Sequence, residues 1–216
     1  MKKRLQNNEY FFSVEGEIEI WYLKHLQDVI RKQENRKVNP VITAKKTSPM
    51  KFLKTFPSLS FNTITAIYDV EEPIGGCYIQ FESFLREMSD VKKTGKTMVY
   101  ELGYSNVDFE LWIILHKKDF FRTITKKSDY LREINNGFSS NFAHLNEYKA
   151  ERNFKTILDM ITLEDIKNAI YRAETIENQR NTDSVQLNSY GYKWFSKNPS
   201  LSLHHVIRKI ITECGV

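Results

Sequence analysis

The chain has 216 residues, of which 41% are hydrophobic and 13% aromatic, a composition that indicates one compact domain or one domain with an appendage. Eight glycines and five prolines, nowhere concentrated together, exclude long disorder and a flexible linker between two domains. No apolar run approaches the roughly 18 residues that a membrane span needs. We therefore expect a soluble, cytoplasmic protein that has no membrane partner.

The cysteines and the charged residues further restrict which class of protein the chain can belong to. Cys77 and Cys214 are far apart and belong to no Cys/His cluster, which excludes a zinc motif or a disulfide framework. The net charge of +5 is too small to identify a partner, but no acidic residue lies between Glu34 and Asp69. Six basic residues fall in that interval: Arg36, Lys37, Lys45, Lys46, Lys51 and Lys54. Such a stretch attracts nucleic acid, because neutralised phosphates release counterions.

The first half of the chain alternates strand and helix patterns. An aromatic and β-branched run predicts a strand over 10–14, and apolar residues at three- and four-residue spacing predict a helix over 17–33. The patterns that follow predict strands over 41–44, 63–68 and 98–102, and helices over 50–53, 77–88 and 109–116. Ser105 is the predicted N-cap of the last of these helices.

This alternation predicts an α/β fold with a mainly parallel sheet and helices on both faces. Beyond residue 116 the strand patterns fade, and four segments look helical: 131–134, 154–161, 163–176 and 203–211. We therefore divide the chain into an α/β core, residues 1–116, and a mostly helical C-terminal extension, residues 117–216. The extension is expected to pack on the core within one structural domain.

Acidic residues follow two of the predicted strands. Glu15 comes just after the first, and Asp69-Val70-Glu71-Glu72 comes just after the third. The carboxyl ends of parallel strands line the ligand crevice of open α/β sheets, so these acids converge if the strands are neighbours. Converging carboxylates repel one another unless a cation neutralises them, and oxygen-only ligation suits Mg²⁺ or Mn²⁺. The alternative is that they are loop acids that stabilise helix N-termini.

The histidines give a weaker pattern. His204 and His205 are adjacent, so we expect them to point to different faces of a helix, which argues against a shared metal. The basic residues also have an alternative interpretation, a solvated lysine-rich face.

Several motifs resemble one protein family. Val14-Glu15-Gly16-Glu17 and Asp69-Val70-Glu71 resemble the first and second motifs of Toprim domains. The segment 105–116, SNVDFELWIILH, is similar to the Ser-Asn-Pro-x-Phe-Glu-Leu-Trp-Leu-Leu-Leu-His signature of the RloB-like family, Toprim-containing proteins of bacterial antiphage defence. Residues 146–149, NEYK, and 198–204, NPSLSLH, resemble two later segments of that family. The resemblance spans nearly the whole chain in the same order.

The resemblance implies a Toprim-like, Rossmann-type sheet and phosphodiester hydrolysis with Mg²⁺ or Mn²⁺. In that chemistry two metal ions activate a water and stabilise the charge that develops on phosphorus and on the leaving oxygen. Glu15, Asp69 and Glu71 are then metal ligands and catalytic residues. Lys149 is the candidate that stabilises the transition-state charge.

Four residues are second-rank candidates for this site: Glu19, Glu72, Glu110 and His116. For His116, a core histidine is the alternative. The sequence also departs from the family pattern, because Glu71 replaces the second aspartate of Asp-x-Asp and the first motif is one residue shorter before Glu19.

Two functions remain open. The first is a metal-dependent nuclease that cleaves DNA or RNA, including tRNA, as an effector of antiphage defence. Because the chain carries no ATPase motif of its own, a separate sensor or ATPase partner is expected. The second is a catalytically silent Toprim-like module that binds nucleic acid or a partner, in which Lys45, Lys46 and Lys51 carry the nucleic-acid contacts.

Overall fold

The computed structural model describes residues 5–56, 62–71, 78–94 and 98–216. Glu72, one of the second-rank candidates, lies outside these ranges, as does the first residue of the helix predicted over 77–88.

A five-stranded, mostly parallel sheet forms the centre of the fold. The strands of the described residues are β1 (Asn7–Val14), β2 (Asn39–Lys46), β3 (Asn62–Asp69), β4 (Met98–Asn106), β5 (Leu187–Ser189), β6 (Tyr192–Trp194) and β7 (Ser200–Leu201). The central sheet has the order β2-β1-β3-β4-β7, in which β1 to β4 are parallel and β7 is antiparallel to β4. β5 and β6 form a separate antiparallel hairpin. The predicted mixed α/β fold is confirmed.

Helices cover the sheet and make up most of the C-terminal part. They are α1 (Glu17–Arg31), α2 (Pro49–Leu53), α3 (Ile79–Asp90), α4 (Glu110–Leu115), α5 (Asp129–Phe138), α6 (Leu145–Tyr148), α7 (Glu151–Asp159), α8 (Leu163–Asp183) and α9 (Leu203–Cys214). A short 3₁₀ turn, Val91–Thr94, follows α3. In the described part of the chain, no helix is long and apolar enough to cross a membrane.

The alternation of side chains along the strands divides the core between two faces of the sheet. Along β3, Ile64, Ala66 and Tyr68 pack on one face with α2 and α3, whereas Ile67 packs on the other. That second face carries the larger apolar cluster, to which α1, α4, α5 and α7 to α9 contribute. Successive strand residues point to opposite faces of the sheet. Because helices cover both faces, the side chains on both are apolar.

Two local predictions were wrong. No strand was predicted after residue 116, yet β5, β6 and β7 lie there, and β7 adds an antiparallel edge to the central sheet. Strands of two or three residues are too short to show a period of two. Ser105 is not a helix N-cap, because it lies within β4 and pairs with Asp69 and Leu201. The segment continues as strand because β7 supplies a partner on its far side.

Replacing Leu23 by alanine is expected to lower the free energy of unfolding by about 2–5 kcal/mol, because this side chain of α1 is fully buried and its loss leaves a cavity. Chemical denaturation measures the effect. Lys24→Ala is the matched control, since the neighbouring lysine is exposed and its removal should change stability by less than about 0.5 kcal/mol. Equal losses in both variants would contradict the packing described for α1.

Candidate metal centre

Three parallel strands direct acidic residues to the same edge of the sheet. Glu15 follows the last residue of β1, Asp69 is the last residue of β3, and Asp108 lies two residues beyond the end of β4. Because β3 lies between β1 and β4, these three positions are neighbours. They line a cleft of about 370 Å³, to which Glu19 and Glu71 also contribute.

The ends of β1 and β3 are joined directly through Glu15. Its Oε2 accepts a hydrogen bond of 3.2 Å from the backbone N–H of Asp69. Glu71 follows two residues later with a left-handed φ of 31°, which is strained for a residue with a Cβ. The chain therefore turns directly after the strand, and this turn holds the Glu71 carboxylate at the cleft.

Asp108, which the sequence analysis did not select, lies at the centre of the site. The backbone N–H of Val107 donates to Tyr130 Oη at 3.1 Å, and Asn106 Nδ2 donates to the carbonyl oxygens of Phe195 and Ser196. These bonds fix the chain between β4 and α4. Asp108 Oδ1 then accepts from the N–H of Phe109 at 3.0 Å, which leaves Oδ2 directed at two lysines.

The two lysines reach the acids from segments beyond residue 116. Lys127, just before α5, lies 3.1 Å from Glu71 Oε1 and 3.3 Å from Asp108 Oδ2. Lys149, just after α6, lies 2.9 Å from Glu110 Oε1 and 3.7 Å from Asp108 Oδ2. Lys127 was also missed from the sequence, where it belongs to no motif and follows no strand. Lys149 and Glu110 were expected at the site from the family resemblance, and the fold brings them together.

Glu19 is held over the cleft by the start of α1. Its side chain is 3% exposed, and a Cβ at Gly16 would lie 2.8 Å from Glu19 Oε2. Glycine at position 16 therefore allows the carboxylate of Glu19 to fold back over the backbone. We name the six carboxylates of this site the acidic cluster: Glu15, Glu19, Asp69, Glu71, Asp108 and Glu110.

Burial and mutual repulsion shift the pKa values of the acidic cluster upward. Burial, and then the charges of neighbouring acids, raise the pKa of Glu19 to about 7 and that of Glu110 to about 8. Burial also raises the pKa of Glu15, and burial with the charge of Asp108 raises the pKa of Asp69 well above its ordinary value. The negative charge of the cluster is therefore poorly compensated by the protein itself.

Asp108 is the exception. Burial alone would raise its pKa, but a hydrogen bond with the Asp69 carboxyl and the charges of Lys149 and Lys127 lower it below its ordinary value. Burial opposes the charge on both lysines, but the facing acids outweigh it and raise the pKa of each. Asp108 therefore keeps its negative charge at neutral pH, with lysine on two sides.

The donor set fits a hard divalent cation. When ionised, the buried Glu19 Oε2 and Asp69 Oδ1 have no hydrogen-bond donor in the described ranges. Buried carboxylate oxygens without donors are costly, and a bound cation would lower that cost. All the side chains of the cluster offer oxygen, the ligand atom of Mg²⁺ and Mn²⁺.

His116 lies in the core and does not line the cleft. Its Nδ1 donates to the carbonyl oxygen of Trp112 at 2.9 Å, so its Nε2 accepts from the hydroxyl of Tyr22 at 3.2 Å. Burial lowers the pKa of His116 to about 3, which keeps the ring neutral. It supports the packing of α4 against α1.

One of the basic candidates, Lys46, lies beside the cleft. Lys46 is the register partner of Val14, so it ends β2 next to the position from which Glu15 extends. Lys45 and Lys51 are exposed, and Lys45 Nζ lies 5.6 Å from the ring centre of Phe52 in α2. Exposed positive charge thus borders the β1–β2 side of the acidic cluster.

In the presence of EDTA, the free energy of unfolding is expected to fall by about 1 kcal/mol between about pH 7 and pH 8.5. The pKa values of Glu110 and Glu19, about 8 and about 7, exceed those of unfolded glutamates, so the folded state binds more protons in this range. Stability therefore decreases as pH rises. His116 does not contribute here, because it is neutral in both states above about pH 7.

Urea denaturation across this pH range measures how steeply the free energy of unfolding falls with pH. Glu110→Gln should make this fall less steep, because glutamine does not titrate. An equal slope in the variant, or stability that rises with pH, would contradict the assignment.

Comparison with known proteins identifies a family. The family model described as RloB-like protein matches residues 10–210, nearly the whole chain. No curated protein and no solved structure matches the chain significantly. The match includes each described member of the acidic cluster.

Proposed function

The chain belongs to the RloB-like protein family, and from that premise we propose that it is a nuclease that hydrolyses phosphodiester bonds with Mg²⁺ or Mn²⁺ and acts as an effector in bacterial antiphage defence. The observation that supports this proposal most is the charge balance of the cleft. Among the described residues, six carboxylates line the cleft, those of Glu17 and of every member of the acidic cluster except Glu110, and Glu110 lies behind Lys149. Only two of the described lysines, Lys127 and Lys149, oppose these seven acids. A divalent cation is the simplest group that compensates the excess.

Within this proposal, Glu15, Asp69 and Asp108 are the primary ligands, and Glu71 and Glu19 complete the set. A bound divalent ion supplies Lewis-acid stabilisation of charge on a phosphodiester. Glu110 holds Lys149 in place through its 2.9 Å ion pair, and the lysine side chain, about a third exposed, offers positive charge to a phosphate at the cleft mouth.

The backbone hydrogen bond to Glu15 fixes which of its oxygens is free. Oε2 is engaged by the N–H of Asp69, so Oε1 is the atom available to a cation or to a proton from water. Burial raises the pKa of this carboxyl, which brings it closer to the range in which it accepts a proton as a general base.

The substrate in this proposal is DNA or RNA, including tRNA, which the exposed lysines beside the cleft bind through its phosphates. A separate sensor or ATPase protein activates the enzyme in the cytoplasm. Lys46 lies beside the position from which Glu15 extends, so the exposed lysines of β2 border the acidic cluster. A nucleic-acid strand bound to these lysines therefore reaches the cleft.

The double variant Lys45→Ala/Lys46→Ala is expected to weaken nucleic-acid binding and to reduce the slope of log affinity against log salt by about two. Each lysine that contacts a phosphate contributes about one counterion to that slope. Fluorescence anisotropy at several salt concentrations measures it. The control is Lys24→Ala/Lys32→Ala, which removes the same charge from exposed positions of α1 and its C-cap. Equal effects of both double variants would place binding elsewhere.

The test of the proposed function is cleavage of plasmid DNA and, separately, of total tRNA, with Mg²⁺, Mn²⁺ or EDTA. The proposal expects cleavage of one substrate that requires metal. Cleavage that persists in EDTA would contradict it, because the chemistry would not then depend on a cation in the acidic cluster.

One observation favours a second candidate function, a catalytically silent module that binds nucleic acid or a partner. Lys127 and Lys149 already pair with Glu71, Glu110 and Asp108, so the protein partly neutralises its own cluster. If the protein is such a module, its binding of nucleic acid persists in the Asp69→Asn variant and in EDTA, and it depends on Lys45, Lys46 or Lys51. No cleavage of the nucleic acid is then observed.

A further inference from the structure

A second group of metal-ligating side chains lies between α8 and α9, on elements that carry no member of the acidic cluster. Glu177 of α8 faces the first turn of α9, where His204 Nε2 lies 3.2 Å from Glu177 Oε2 and His205 Nε2 lies 2.9 Å from Glu177 Oε1. One ligand atom from each of the three residues lies within 4.8 Å of the others.

The two histidines converge although they are adjacent, so the sequence-based expectation that they diverge was wrong. Their rings lie 4.0 Å apart between centroids with an interplanar angle of 38°. The Cβ atoms point about 100° apart on a helix, but rotation about the side-chain bonds brings both Nε2 atoms to the same carboxylate. Sequence spacing restricts where a Cβ lies, not where the end of an imidazole reaches.

The Glu177 carboxylate has no lysine or arginine within ion-pair distance in the described ranges. The cations on either side are engaged elsewhere: Arg208 pairs with Glu174, and both Arg180 and Lys197 pair with Asp183. Two imidazolium ions whose rings are 4.0 Å apart would repel each other.

We propose that Glu177, His204 and His205 form a Zn²⁺ site that links α8 to α9. Two imidazoles and one carboxylate are a known donor set for zinc, whose tetrahedral ligand atoms lie about 3.3 Å from one another. Both distances to Glu177 are already near that value. His204 is fully buried, Glu177 is partly exposed, and the His205 side chain is 56% exposed, so water reaches the open fourth position.

The site would act on the C-terminal part of the fold. α9 follows β7 after one residue, and β7 is the antiparallel edge strand that pairs with Ser105 and Asn106 of β4. A metal that fixes the first turn of α9 to α8 therefore also holds β7 against the strand that leads to Asp108. This inference does not depend on the proposed nuclease activity, because it concerns different residues and a different class of cation.

Isothermal titration of the full chain with ZnCl₂, in buffer that contains millimolar Mg²⁺, tests the proposal. We expect one Zn²⁺ to bind with a Kd below about 10 μM, and we expect His205→Ala and Glu177→Gln each to weaken binding by more than about tenfold. Because His205 is exposed, its alanine variant should fold normally, which circular dichroism checks.

Glu15→Gln is the matched control, since it alters the acidic cluster and should leave zinc binding unchanged. Two results would overturn the proposal: no zinc binding to the unaltered chain, or zinc binding that Glu15→Gln weakens and His205→Ala does not. The second result would assign the zinc to the acidic cluster.

Discussion

Glu15→Gln is expected to lower metal-dependent cleavage by about 10²–10³-fold while the fold remains intact. The glutamine oxygen can still accept the hydrogen bond from the N–H of Asp69, so the junction of β1 and β3 keeps its geometry. The variant lacks the Glu15 carboxylate, which is both the anionic metal ligand and the group whose pKa is raised by burial. Initial rates of substrate cleavage at saturating Mg²⁺ measure the loss.

The control for this variant is Glu17→Gln. Glu17 is the first residue of α1 and also lines the cleft, but its side chain is exposed. We expect its rate to stay within about threefold of the unaltered protein. Similar losses in both variants would mean that general negative charge at the cleft matters, and not a specific ligand.

Asp108→Asn is expected to reduce cleavage by about 10²-fold or more and to raise the Kd for Mn²⁺ by more than about tenfold. Asp108 is the member of the cluster whose pKa is lowered, so it carries full charge when a cation arrives. Asparagine can keep the hydrogen bond from the N–H of Phe109, but it cannot balance Lys127 and Lys149. The two lysines would then be balanced only by Glu71 and Glu110 and would repel a metal ion more strongly.

Kinetics and Mn²⁺ titration of this variant are compared with those of Asp159→Asn, which changes an exposed aspartate at the end of α7. A normal Mn²⁺ affinity in Asp108→Asn would exclude Asp108 from the ligand set.

The parallel sheet was predictable because each of its four parallel strands contains an apolar run and a helix follows it, with clear periodicity in α1 and α3. Hydrophobic pattern decides such elements locally. The edge strand β7 was not predictable, since Ser200 and Leu201 become a strand only through pairing with β4, some hundred residues earlier. The same long-range pairing explains why Ser105 remains in a strand instead of capping α4.

For the candidate site, the rule that acids after parallel strands converge led directly to Glu15 and Asp69. The same rule applies to Asp108, but its position before α4 was interpreted as a helix start, and the capping pattern concealed it. Lys127 carries no local pattern at all. Its role appears only when the segment before α5 returns to the carboxyl edge of the sheet, where Lys127 meets Glu71 and Asp108.

Mn²⁺ binding measured by electron paramagnetic resonance tests the central claim most directly, because it requires neither substrate nor an activating partner. The measurement uses His205→Ala as the background, so that the site between α8 and α9 does not contribute. We predict at least one bound Mn²⁺ with a Kd below about 1 mM, which Glu15→Gln together with Asp108→Asn abolishes. Equal Mn²⁺ binding with and without those two substitutions would contradict a metal centre in the acidic cluster.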